Sequence, residues 1–107
     1  ERSGDYQMYI YKYIYYLKSK QIEKSYSMLS DDCKNKNFDG DFNKYIAFIN
    51  SLNINENSDI EYKLITIFKN KDNYPVYSNS LILNDKEINI QVVEYSPFDY
   101  KLYLVLE

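Results

Sequence analysis

A chain of 107 residues, 45% hydrophobic and 27% charged, is long enough for one domain around one buried core and too apolar for a disordered segment. Its formal net charge of −3 and isoelectric point of about 5.0 argue against nucleic acid as a partner, since domains that bind it are normally basic. The absence of histidine, the 2 glycines and the single cysteine, Cys33, exclude histidine-dependent triads and metal sites, glycine-rich phosphate loops, an intramolecular disulfide and zinc frameworks.

In chain order, the first half reads helical. Asp5 is a plausible N-cap, and Tyr6, Ile10, Tyr13, Ile14 and Leu17 recur at helical spacing, predicting a first helix over about 5–18. Register is lost near Ser19-Lys20. Ile22, Tyr26 and Leu29 predict a second helix over about 20–29, or one kinked helix with the first. Residues 30–37 are polar and turn-like, and Phe38 stands alone as a residue plugged into the core from a loop. Asp41 caps a third helix whose stripe is Phe42, Tyr45, Ile46, Ile49 and Leu52.

After a polar connector over 53–59 the period changes to two. Ile60, Tyr62, Leu64, Thr66 and Phe68 share one face of a first strand. A turn at 70–73 leads to a strand over about 76–83. Asn84-Asp85 turns into a third strand over 87–95, and the turn at 96–99, set by Pro97, leads to a last strand over 100–106. Short turns imply sequential antiparallel pairing. The expected architecture is α+β, with N-terminal helices packed on one face of a curved four-stranded antiparallel sheet, whose curvature leaves a cone-shaped cavity.

The order of elements is similar to the NTF2-like (cystatin-like) superfamily. The run from Tyr16-Leu17 through Lys18 to Tyr26, Leu29 and Ser30 resembles that superfamily's opening of a helix, a short break and a Tyr-x-x-x-Leu-Ser helix. Phe38 and the helix from Phe42 to Ile49 resemble its third helix. The resemblance covers nearly the whole chain through apolar positions, with no functional residues among them. It implies an extracytoplasmic domain behind a membrane anchor in a Gram-positive bacterium, of the kind found as oligomerising VirB8-like scaffolds in conjugation machinery, although those often carry a longer helical region. Two readings of the residues fit it. An abundance of Ile, Asn, Lys and Tyr with one alanine, Ala47, reads as codon bias of an AT-rich genome. A start at Glu1 without methionine reads as a fragment, with residues 1–4 a tag or linker and the anchor outside this chain; a cytoplasmic location is the alternative. The chain itself holds no run of about 18 apolar residues and no leader pattern, so no membrane insertion is expected within it.

Enzymes of the resembled superfamily commonly pair Asp with His, or Asp with Tyr, inside the cone; the histidine dyad is excluded here, and tyrosine is too abundant to point to the second. Glu94, within Val92-Val93-Glu94-Tyr95, is the one carboxylate inside an apolar run; it is a candidate base if it points inward and an ordinary surface residue if it does not. Tyr13, Tyr16 and Tyr62 join it as candidate cavity lining for a ligand-binding module. Asp31, Asp32, Asp39 and Asp41 lack calcium-loop spacing, Cys33 lacks a base, and no metal or cofactor is expected. Met8, Tyr11 and Tyr15 fall at i, i+3 and i+7 on the side of the first helix away from its core stripe. They are the candidate surface for a protein partner or for self-association, because a second apolar stripe requires a second thing to pack against; the alternative is that another element of the fold covers them. The expected function is therefore a non-enzymatic interaction or assembly domain.

Overall fold

A computed structural model describes residues 3–106, and its elements run α1 (Ser3–Lys18), α2 (Ile22–Ser27), α3 (Asp31–Phe38), α4 (Phe42–Ser51), β1 (Ile60–Lys69), β2 (Pro75–Leu83), β3 (Lys86–Ser96) and β4 (Asp99–Val105). Over the described residues the protein is α+β, with four helices followed by one sheet in the order β1-β2-β3-β4, every neighbouring pair antiparallel. Of the expected tag or linker at 1–4, Glu1 and Arg2 lie outside the described residues and Ser3 and Gly4 belong to the first turn of α1. Asp5 therefore sits inside that turn, not before it. There its charge still favours the positive end of the helix dipole.

α1 buries the stripe its spacing predicts, Tyr6, Ile10, Tyr13, Ile14 and Leu17. It ends where Lys20 takes a left-handed φ of 64°. α2 is shorter than its apolar spacing implies: Leu29 leaves the helix and makes a parallel bridge to Leu102 on β4.

Residues 30–37 correct the expectation of a loop. They form most of α3, and Phe38 is its last residue, buried but helical. The segment has no apolar period because only Cys33 and Phe38 are buried from it. Its helical signals are terminal ones. The Ser30 side chain accepts from the Cys33 amide at 3.1 Å, Asp31 and Asp32 occupy the first turn, and Lys36 the last. Beyond Phe38 the chain reverses through Asp39 (φ 55°) and Gly40 (φ 67°), and the Gly40 amide donates to the Lys34 carbonyl at 2.9 Å. Asp41 then caps α4, its carboxylate accepting from Asn43 at 2.9 Å.

The sheet registers almost as its alternation predicts. Tyr77, Leu81, Leu83, Ile90, Val92, Tyr100, Leu102 and Leu104 join the helices in one core. The first strand is the exception. A bulge between Leu64 and Thr66 inserts one residue, so Ile60, Tyr62 and Leu64 lie opposite Leu83, Leu81 and Asn79 on the helix side, but beyond it Ile67 pairs with Tyr77 on that side. Thr66 and Phe68, expected on the same face as Tyr62, turn to the other one, where Phe68 meets Val76. A single extra residue reverses the face of everything after it because the side-chain period is two.

The two edges of the sheet differ. The chain closes the β4 edge itself: the Ser30 amide donates to the Leu102 carbonyl at 2.9 Å, the Leu102 amide to the Met28 carbonyl at 2.9 Å, and the Asn37 side-chain amide to the Leu104 carbonyl at 2.7 Å. Among the described residues nothing pairs with the outer edge of β1.

Candidate functional site

The outward face of α1 carries the predicted partner residues. Met8, Tyr11 and Tyr15 are 68%, 61% and 55% exposed, half a helical turn from the buried stripe, so neither the other helices nor the sheet covers them. Tyr11 and Tyr15, with Ile14, form one wall of an open groove of about 690 Å³, and Ile60 and Tyr62 at the start of β1 form the other. Lys18, Glu56 and Glu61 provide its charged rim. Met8 lies toward a shallower cleft shared with Phe98 and Tyr100 at the β3–β4 turn.

The predicted cavity residues do not converge. Tyr13 is buried in the core with its hydroxyl 2.8 Å from that of Tyr45. Tyr16 is half-buried against the core, with the Lys24 ammonium 5.8 Å from its ring centre. Tyr62 lines the open groove. Glu94 is buried on the helix-facing side near the far end of the sheet, where its carboxylate accepts from the Tyr77 hydroxyl at 2.9 Å. Aromatic side chains from the helices and the sheet pack the core. Tyr6 stacks on Tyr77 at 4.4 Å, and Phe38, Phe42, Tyr26 and Tyr45 pack ring to ring at 5.0–6.4 Å. Large planar side chains at inward positions fill the space that smaller ones would leave open.

Within that core lies a hydrogen-bonded chain with a defined direction. The Ser25 hydroxyl donates to the Ile22 carbonyl at 2.7 Å, so its oxygen accepts from Tyr45 at 2.8 Å. Tyr45, having given its one proton to Ser25, accepts from Tyr13. Burial pushes the Tyr45 phenol up to about 12, against the lowering effect of its bonds to Ser25 and Tyr13, and pushes Tyr13 well above the usual phenol range, an effect its neighbour Tyr45 reinforces. Both are held neutral, as a structural network requires. Cys33 is likewise buried, and burial raises its thiol, although the Leu104 amide and the Asn37 side chain at 3.5 Å from sulfur work in the lowering direction. A raised, enclosed thiol is not a poised nucleophile.

Asp31, Asp32, Asp39 and Asp41 act as helix-end residues on two different helices, and among the described residues no three potential metal ligands come together. Residue-type reasoning missed two features. One is Ser25, whose role depends on a tyrosine from another helix. The other is the outer edge of β1, where Leu64, Ile65, Ile67 and Phe68 are all exposed. The signal for the second was present in the sequence: the first strand of a meander is always an edge, and this one carries a run of apolar residues. Comparison with protein-family models, curated proteins and solved structures finds no significant match to this chain.

Proposed function

We propose that this chain is a non-enzymatic protein-interaction or assembly domain. Its fold would be NTF2-like, and its setting the outer side of the membrane in an anchored bacterial protein, of the kind that serves as a VirB8-like scaffold in conjugation or secretion. The reading of fold family is supported by the order of helices before a four-stranded meander, and the setting is only what that resemblance implies. The reading of function is carried by one observation: Met8, Tyr11 and Tyr15 present a continuous apolar stripe to solvent on the helix that otherwise anchors the core. Tyrosine and methionine supply large contact area at interface centres and are costly to leave wet.

Light scattering tests this directly. Tyr11→Glu with Tyr15→Glu places two charges on the stripe without touching a buried residue, so the circular dichroism spectrum is expected to be unchanged while the assembled mass falls. An unchanged mass in the double variant of an oligomeric parent discards this surface. A second reading, a small-ligand module, is favoured by the groove between α1 and β1, whose volume of about 690 Å³ and tyrosine walls suit an apolar ligand. On that reading, native mass spectrometry of the purified chain finds a retained small molecule that Tyr62→Ala releases.

A further inference from the structure

We infer that the outer edge of β1 is a self-pairing surface, on which a second copy of this chain docks antiparallel through its own β1 to continue the sheet. The inference rests on the assembly reading above and names the first partner.

Three observations lead to it. First, the chain seals the β4 edge with its own backbone and leaves the β1 edge open, with no strand pairing to it among the described residues. A row of outward amides and carbonyls is satisfied by another extended backbone. Second, that open edge is apolar: Leu64, Ile65, Ile67 and Phe68 are exposed, Ile65 and Ile67 by 57% and 50%. Third, the strand and its flanks are electrically polar along their length. Glu56, Asp59 and Glu61, against Lys63, leave the leading end net negative, and Lys69 and Lys71, against Asp72, leave the trailing end net positive, all of them exposed. An antiparallel copy brings acidic end against basic end twice. A parallel strand would set like charges together, at a cost. Edge lysines ordinarily repel an incoming strand; here the trailing lysines of each copy meet the other's carboxylates.

The bulge is compatible with this occupant. It moves the helix-side face from Tyr62 and Leu64 to Ile67 and Lys69. A two-fold related strand meets the same switch in reverse order, so the faces of both copies stay in phase along the strand with no residue skipped. The register that sets Leu64 opposite Ile67 of the second copy also sets Ile65 opposite Thr66 and Glu61 opposite Asn70, between Lys69 and Lys71. It opposes no like charges within the strand. Stable interfaces bury about 800 Å² per partner, more than one strand edge supplies. Tyr11 and Tyr15 stand across the groove from Ile60 and Tyr62 and extend the contact from β1 onto α1.

The test is a charge exchange on the 107-residue chain, read by sedimentation velocity over a concentration series. The parent is expected to approach twice its 12.9 kDa mass. Glu61→Lys alone and Lys69→Glu alone each set like charges at both ends of the paired strands, and each is expected to weaken dimerisation by about tenfold or more. An equimolar mixture of the two variants restores opposite charges at both ends and is expected to recover the parent dimer within about threefold. Circular dichroism confirms that both variants fold. Single variants that dimerise like the parent, or a mixture no tighter than its components, overturn edge pairing; if Tyr11→Glu with Tyr15→Glu then dissociates the same oligomer, the assembly reading stands without it. A parent that stays monomeric to millimolar concentration overturns both self-pairing and self-assembly.

Discussion

Removing the Tyr45 hydroxyl breaks the middle of the buried chain from Tyr13 through Tyr45 to Ser25, and the direction of that chain makes the consequence specific. Tyr45→Phe keeps the ring, so its edge-on contact with Phe38 at 5.2 Å and its packing on Tyr26 at 5.0 Å remain and no cavity opens. Two groups lose their partner. The Tyr13 hydroxyl is left as a buried donor with no acceptor, and the Ser25 oxygen loses an incoming proton while keeping its own bond to Ile22. Orphaning a buried polar group costs roughly 1–3 kcal/mol, and the donor is the more expensive of the two. Tyr45→Phe is therefore expected to destabilise by about 2–3 kcal/mol. Tyr13→Phe removes only the donor at the head of the chain; Tyr45 still gives its proton to Ser25, and the expected loss is about 1 kcal/mol. The double variant removes the orphan that Tyr45→Phe creates, so it costs no more than Tyr45→Phe alone, about 2 kcal/mol. Urea denaturation followed by far-ultraviolet circular dichroism measures all three, with tyrosine fluorescence as an independent probe in a chain that has no tryptophan. Equal losses for the two single variants, or losses that add in the double variant, refute the directed chain.

Three other outcomes follow from the structure. Tyr45 holds its proton up to about 12 when folded against an ordinary 10.0, so between these values the unfolded chain releases a proton that the folded chain keeps. Its contribution is complete below pH 10 and is lost as pH rises through 10–12, amounting to about 2–3 kcal/mol, with Tyr13 acting in the same direction; denaturation at pH 9 and pH 11 that gives equal stability contradicts it. Phe98 adopts φ 66° after Pro97 and is 70% exposed, a conformation unfavourable to a bulky residue, so Phe98→Gly is expected to raise the denaturation midpoint, by about 0.5–1 kcal/mol in stability, and a lowered midpoint shows that contacts of the ring outweigh the backbone cost. Ser30→Ala removes the acceptor of the Cys33 amide at the start of α3 and is expected to cost about 1 kcal/mol, read as faster labelling of the buried Cys33 thiol by a thiol reagent; an unchanged rate denies the cap its role.

Much of this protein is legible in its residues. The stripe Tyr6, Ile10, Tyr13, Ile14, Leu17 determines α1, Asp41 and the stripe after it determine α4, and period-two alternation with short turns determines an antiparallel meander. These are local effects: spacing decides which face is apolar, and the apolar face goes inward. The outward position of Met8, Tyr11 and Tyr15 follows from the same geometry, since residues half a turn from a buried stripe cannot also be buried against the same core. Tertiary structure alone decided the rest. α3 has terminal signals but no apolar period, and it is a helix because Cys33 and Phe38 dock on the core while Ser30 and Asn37 bond to β4. The bulge after Leu64 reverses the face of Thr66, Ile67 and Phe68 by one inserted residue, which alternation in a single strand does not reveal. How the aromatic rings of different elements stack in the core is a many-body packing problem with no counterpart in spacing. The composition of this chain excluded histidine-dependent, zinc-framework and glycine-rich phosphate-loop chemistry at the outset, because it has no histidine, one cysteine and two glycines. It left open where the surplus tyrosines go, and that was settled by packing: a hydroxyl buried in a core goes where a partner from another helix meets it.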